Sequence, residues 1–387
     1  MTGAMYAAIA GLKTHMQNLN VIGNNVANIN TYSYKAGRSV FQTAIYTQLT
    51  GGSNGTATAG GRNPSQIGYG ASIGSVDVDM GSGNYAATGN PTDCMIDGQG
   101  FFLLGDKTMA NNFAGNAEDA TMLSSLTLTR VGDISFKADG YLSNYAGMTV
   151  YGFLCTGVVT KENLEQVKQE HPEKTDWEVG DPVFSDQLVP IRYPRITTSE
   201  NGALQVAYPT TEGDGEGYVE GQLRDATDED GKALPFAQFS SISIASTGVI
   251  SGVCKDTGQS VVIGAIALGN VTNPNGLTME SNNYYTVGEG AGDLTITLYG
   301  GIAQEMGISR VNGSLREDEE EDAPVDLFTI RNGGAKESII SGGLEMSKTD
   351  LAQEISNMIT TQHGYQANTR IITVTDSMLE ELVNMKR

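Results

Sequence analysis

Apolar residues recur at steps of three and four over residues 1–31 of this chain and again over residues 344–387. At the start the series is Met5, Ile9, Leu12, Met16, Leu19 and Val26, with Gly23 in step and Ile22 beside it. Such steps make a heptad seam and predict a long helix. At the far end Leu344, Leu351, Ile355, Met358, Tyr365, Ile372, Leu379 and Val383 follow the same rule. A second row, Ile371, Val374, Met378, Leu382 and Met385, runs beside them. A helix that is apolar on two sides needs more neighbours than one partner helix supplies. Further copies of the same chain, in head-to-tail contacts that do not close, are the natural source. The termini are therefore expected to pair as a coiled-coil stalk, with Ile9, Leu12, Leu19, Val26, Leu351, Ile355, Met358, Tyr365, Ile372, Leu379 and Val383 as assembly residues.

Between the ends the period changes from helical to alternating. Residues 46–90 are rich in Gly, Ser, Thr and Asn and hold few large apolar residues, so they predict an extended linking segment with little core. From Cys94 the chain turns apolar, with the run Phe101-Phe102-Leu103-Leu104. Leu126-Thr127-Leu128-Thr129 alternates, and Ile134-Ser135-Phe136 meets the turn Asp139-Gly140 before Tyr141-Leu142, a hairpin signal. Alternation resumes at Ile242-Ser243-Ile244 and continues through Leu294-Thr295-Ile296-Thr297-Leu298. The fold class expected is α+β and multidomain, with predominantly antiparallel β-domains nested between paired terminal helices. The domains expected are 1–45 with 344–387 (helical), 46–90 (linking), 91–155 with 234–343 (β-rich) and 156–233, a polar, acidic stretch read as an inserted outer domain.

Charge narrows the partners. There are 23 basic against 45 acidic residues, a net −22, which argues against nucleic acid. The run Glu317-Asp318-Glu319-Glu320-Glu321-Asp322 reads as a solvated loop, because the alternating spacing of a calcium loop is missing. Three cysteines, Cys94, Cys155 and Cys254, are too few and too scattered for a disulfide framework or a zinc site. The three histidines, His15, His171 and His363, lie on the terminal helices and in a charged loop. Gly98-Gln99-Gly100 does not open a helix, so it is no nucleotide loop. No enzyme, cofactor, metal or small-molecule substrate is expected. No apolar stretch spans a membrane, and no basic region followed by an apolar core marks a cleaved signal. The amides Asn18, Asn20, Asn24, Asn25, Asn28, Gln362, Gln366 and Asn368 on the terminal helices have two readings, local capping or fixing of register.

The segment Asn18-Leu19-Asn20-Val21-Ile22-Gly23-Asn24-Asn25-Val26-Ala27-Asn28-Ile29-Asn30-Thr31, followed by Tyr34-Lys35 and Phe41, closely resembles the opening signature of bacterial flagellar rod and hook proteins. Leu344-Glu345-Met346-Ser347, Asp350-Leu351-Ala352, Asn357-Met358-Ile359, Gly364-Tyr365-Gln366-Ala367-Asn368 and Leu382-Val383-Asn384 resemble its closing signature. Inside, Asn63–Gly70, Thr88–Asp93, Gly98–Phe102, Thr129-Arg130-Val131-Gly132 and Asn273–Leu277 are similar to the hook members. The resemblance covers about 1–155 and 234–387, and Cys94 departs from the small or apolar residue expected ahead of the Gly-Phe-Phe strand.

The resemblance implies a structural subunit that polymerises into a hollow, curved tube. Such a tube acts as a universal joint between the motor's rod and the filament. It implies export through the flagellar apparatus without a cleaved signal, and a place outside the cell. The partners implied are other copies of the chain, the distal rod and hook–filament junction proteins at the ends, and the hook cap and export apparatus during assembly. Some hook proteins join subunits through a lysine and a cysteine that has lost its sulfur, which makes Cys155 with Lys137 or Lys161 a candidate crosslink. The alternatives are a straight distal rod protein and, in a different class, a secreted β-rich adhesin or enzyme on a helical stalk.

Overall fold

The computed structural model of the chain describes residues 2–55, 60–107, 126–172, 174–198, 204–210, 223–224, 226–228, 232–298, 302–312, 326–332 and 338–385. The acidic run Glu317–Asp322 lies outside them. The architecture is α+β, with a long helix at each end and a mostly antiparallel β-rich middle. Two compact units form, Met1–Asp79 with Ser347–Arg387, and Met80–Met346.

In the first unit the N-terminal helix runs Thr2–Ala27 and the C-terminal helix Leu351–Met385. The first ends in Asn-rich turns, where Asn28 turns its amide back onto the Asn24 carbonyl. The second begins later than its apolar series. Leu344 belongs instead to the strand Gly343–Glu345, which pairs with Tyr85–Ala87. Asp350 then caps the helix, accepting hydrogen bonds from the backbone N–H groups of Ala352 at 2.9 Å and Gln353 at 3.2 Å. Heptad spacing thus carried on past the point where the capping chemistry starts the helix.

Residues 46–90 divide differently from the linking segment expected. Gly37–Thr43 pairs with Ala71–Val78, and Tyr46–Thr50 with Ser65–Gly68, in nearly continuous register. A bridge between Ser53 and Arg62 extends the pairing further. The result is one long antiparallel ribbon that begins before residue 46. Its outer strands are exposed throughout, as the scarcity of large apolar residues anticipates.

The second unit is built on one large sheet. Its main path runs Phe239–Ile244, Val249–Cys254, Ser260–Ile266, Thr149–Val158, Phe101–Gly105, Leu268–Val271, Leu294–Leu298 and Arg331–Asn332. The last pair is parallel. The two central strands are covered on both faces. Phe101, Leu103, Tyr151 and Phe153 enter one core, while Phe102, Leu104, Val150 and Leu154 enter the other. That double burial is why these strands read as continuous apolar runs. The Asp139-Gly140 hairpin forms, with Ile134–Phe136 against Leu142–Asn144 and Gly140 at φ +80°.

The boundary expected at 155/156 falls inside the strand Thr149–Val158. Pro182–Phe184 and Val189–Pro190 add to that same strand, and Phe184, Leu188, Val189 and Ile191 join the two main cores. Among the described residues, Val159, Val167, Trp177 and Val183 make a small cluster of their own. Polarity marked this stretch as separate, but its few apolar residues coincide with the strands that tie it to the body.

Gly132 anchors a crossing of chain segments. Its carbonyl accepts the N–H groups of Cys94 and Ile134, and a Cβ there would run into the carbonyl oxygen of Cys94. Backbone cannot yield as a side chain can. Gly132→Ala is expected to destabilise the body by about 3 kcal/mol. Urea unfolding followed through the fluorescence of the single tryptophan, Trp177, measures this, and an unchanged midpoint would refute it.

Candidate assembly surface

The site is built on the helix pair of the first unit. Asn18 Nδ2 donates to Thr361 Oγ1 at 2.9 Å, and Asn25 Nδ2 to Glu354 Oε1 at 3.0 Å. A Cβ on Gly11 would lie 2.7 Å from Asn368 Nδ2, and one on Gly364 would lie 2.6 Å from His15 Cε1. Residue numbers fall on one helix by the same steps as they rise on the other, so the helices run antiparallel in a fixed register. Each glycine makes room for a large polar side chain opposite. The contacts that fix the register are therefore small and polar, beside partly covered apolar positions.

Asn25 is the best-connected member. It is 1 % exposed. Its Nδ2 donates to Gly37 O at 2.8 Å as well as to Glu354, and its Oδ1 accepts from Gly37 N at 3.0 Å and Tyr34 OH at 3.1 Å. All four hydrogen-bonding positions of the amide are used. Burial, and after it the Glu354 carboxylate, raises the Tyr34 phenol above its ordinary range. Asn18 Oδ1 accepts the Ser39 hydroxyl, linking this helix to the ribbon.

The expected assembly residues divide into two groups. Leu12, Leu19, Val26, Met358, Tyr365 and Ile372 are partly covered within the unit. Ile9, Leu351, Ile355, Leu379 and Val383 are exposed, as are Ile371, Val374, Met378, Leu382 and Met385 of the second row. Of the amides, Asn18, Asn25 and Asn368 lie in the contact stripe, whereas Gln362 and Gln366 are exposed. Sequence reasoning missed the pairing of Gly11 with Asn368 and of His15 with Gly364. The signal was a glycine inside a helical pattern, which costs stability unless a close approach requires it.

Cys155 is 1 % exposed and so is buried like Cys94 and Cys254, both at 0 %. All three are free thiols. Lys137 donates to Ser135 Oγ, and Lys161 is exposed. Burial lifts the Cys155 thiol from an ordinary value near 9 to about 12, outweighing hydrogen bonds from the backbone around Gly157 and Val183. Burial, helped by the Asp93 carboxylate, lifts Cys94 to about 12 as well. Their contribution to stability is complete below about pH 9, where the unfolded thiols are still protonated. It is lost as pH rises toward 12, because only the unfolded chain then releases the protons. The urea midpoint is expected to fall over that window, and more shallowly in a Cys94→Ala/Cys155→Ala variant. Identical slopes for the two proteins would refute the assignment. Among the described residues no group of acids, histidines and cysteines is arranged to hold a metal ion.

Paired terminal helices that leave apolar rows exposed, in a chain whose middle residues form a β-rich body, are the features the comparisons bear on. Residues 5–35 match the family "Flagella basal body rod protein", and residues 340–385 match "Flagellar basal body rod FlgEFG protein C-terminal". The chain is 25% identical to a flagellar hook protein of Treponema pallidum over the whole of both chains. It is 27% identical to a flagellar basal-body rod protein of Bacillus subtilis, again over the whole of both. Against a flagellar hook protein of Escherichia coli it is 23% identical over 99% of this chain and 100% of that one. Both ends of the chain thus match models of the flagellar rod and hook family, and its whole length is similar to hook and rod proteins.

Proposed function

We propose that this chain is the structural subunit of a bacterial flagellar hook, and that it polymerises into a hollow, curved tube. The observation that carries the reading is likeness to hook proteins along the full chain, joined to apolar rows on the C-terminal helix that the chain itself leaves uncovered. Those rows pack against the same helices of neighbouring copies, forming the coiled-coil layer that lines the channel. Torque needs a tube stiff in twist, which dense helix packing at small radius supplies. Bending needs outer contacts that slide, which the exposed, polar faces of the β-rich body supply. The tube stands outside the cell, between a rod protein and a junction protein, and its subunits arrive through the flagellar export apparatus.

A second reading, a distal rod protein, is favoured by the full-length likeness to the Bacillus subtilis rod protein. Electron microscopy of the purified chain under polymerising conditions tests both. Curved tubes are the expected result, straight tubes favour the rod, and a chain that stays monomeric under all conditions would overturn both readings.

A further inference from the structure

Arg130 is 1 % exposed and Glu345 is fully buried, and neither belongs to the assembly surface. Arg130 Nε lies 3.4 Å from Glu345 Oε2. The remaining nitrogens of the guanidinium fork collect backbone carbonyls. Nη1 donates to Met80 O at 3.0 Å, and Nη2 donates to Gly98 O at 2.7 Å and Ile96 O at 3.3 Å. The Arg130 Cζ stands 5.9 Å from the centre of the Phe101 ring. Glu345 Oε1 accepts the Gly83 N–H at 2.6 Å.

The connectivity gives this cluster its meaning. The body spans Met80–Met346, so the chain arrives in it at Met80 and leaves it at Met346. Arg130 holds the arriving segment at Met80 and, further along, at Ile96 and Gly98. Glu345 holds the same segment at Gly83 and is itself the next-to-last residue before the chain leaves. Besides this pair, the arriving and leaving segments meet through two short ladders, Tyr85–Ala87 against Gly343–Glu345 and Cys94–Asp97 against Ser338–Ser341, with Met346 N donating to Asn84 O and Gly342 bonded to Thr88, Gly89 and Asp93 between them. Two-stranded ladders that short are weak by themselves. A buried guanidinium–carboxylate pair with its remaining donors satisfied by carbonyls is strong, and it fails as a whole when one partner is removed.

We propose that Arg130 and Glu345 form a clasp that fastens the arriving segment of the body to its leaving segment. The corner they close opens as a local unit when the pair is broken, while the rest of the sheet stays folded. Arg130 acts by positioning: its fork, rather than its charge alone, gathers Met80, Ile96 and Gly98. The arrangement explains why the Thr129-Arg130-Val131-Gly132 motif lies far in sequence from both segments it joins. Thr129 Oγ1 and Gly132 fix the motif's own backbone, the former accepting the Val131 N–H at 3.1 Å, and leave Arg130 free to reach across.

Native-state hydrogen exchange on the full, unassembled chain, read peptide by peptide, tests the clasp. Arg130→Lys keeps the charge and loses the fork. Glu345→Gln keeps an oxygen for Gly83 and loses the ion pair. Both are expected to speed exchange in 80–98 and 343–346 about tenfold or more, with Phe101–Gly105 and Thr149–Val158 unchanged. Wild-type protection in Arg130→Lys would overturn the role of the fork. Unchanged protection in Glu345→Gln, or a rise spread evenly over the body in either variant, would overturn the clasp. Failure of both variants to fold counts as the latter.

Discussion

Met378→Asp combined with Leu382→Asp should abolish polymerisation and leave the folded chain otherwise as it is. In the unassembled chain these side chains are 48 % and 45 % exposed, so a charge at either meets water and costs the fold little. Their row continues through Met385, which is 82 % exposed. Carrying the steps of the helix contact forward places Thr2 opposite Ser377, so the last two turns of the C-terminal helix run past the end of their partner. Met378, Leu379, Leu382, Val383 and Met385 in those turns are exposed. Each Met or Leu buried in a polymer contributes roughly 1.5–3 kcal/mol, and an unpaired charge in the same place costs several more. A loss of about 4 kcal/mol raises the concentration needed for assembly about a thousandfold. Sedimentation of polymerised protein measures that threshold, and circular dichroism of the monomer checks its helices. Tubes forming at the wild-type threshold would remove this row from the assembly surface.

Asn25→Leu carries the second large effect, this time inside the chain. The replacement fills similar space but strands the Gly37 N–H and carbonyl and Glu354 Oε1, and leaves the Tyr34 hydroxyl with the Asn24 amide but no acceptor for its own proton at Asn25. A buried group left without its partner costs about 1–3 kcal/mol, more when charged. The helix unit should therefore lose about 3 kcal/mol. The loss should be local to it. Urea unfolding read by the helical signal should shift to lower denaturant, while Trp177, in the body, reports an unchanged transition. A parallel shift of both signals would mean that Asn25 supports the whole chain rather than the helix unit.

The ends of the molecule were legible because a heptad period survives any context, and because the Asn-rich signature is long. The helix start was misread because Leu344 kept the period while Gly342, at φ +83°, and Gly343 had already turned the chain into a strand. Which helix faces meet was not legible. The period marks apolar positions, yet the contact is made by Gly11, His15, Asn18, Asn25, Thr361, Gly364 and Asn368, residues whose fit depends on geometry across two segments far apart in sequence. The β-rich middle was legible as strands but not as one sheet. Pairing of Thr149–Val158 with Val189–Pro190 and with Ser260–Ile266 is non-local, and alternation says nothing about partners. Arg130 was visible only as part of a motif. Nothing in the sequence shows that its charge is met by Glu345.

The ribbon of residues 37–53 paired with 62–78 has a mechanical consequence. From Gly37 to Ser53 it reaches about 50 Å at the rise of an extended strand. Along its length it cannot stretch, because the backbone is already extended and the ladder fixes one strand to the other. Across its thin direction it is only two strands wide and backed by little core, so it flexes and twists at small cost. It has the properties of a strap: taut in tension, slack in flexure. Within a bending tube, such an element would cap how far two tethered points can separate without setting the angle between them.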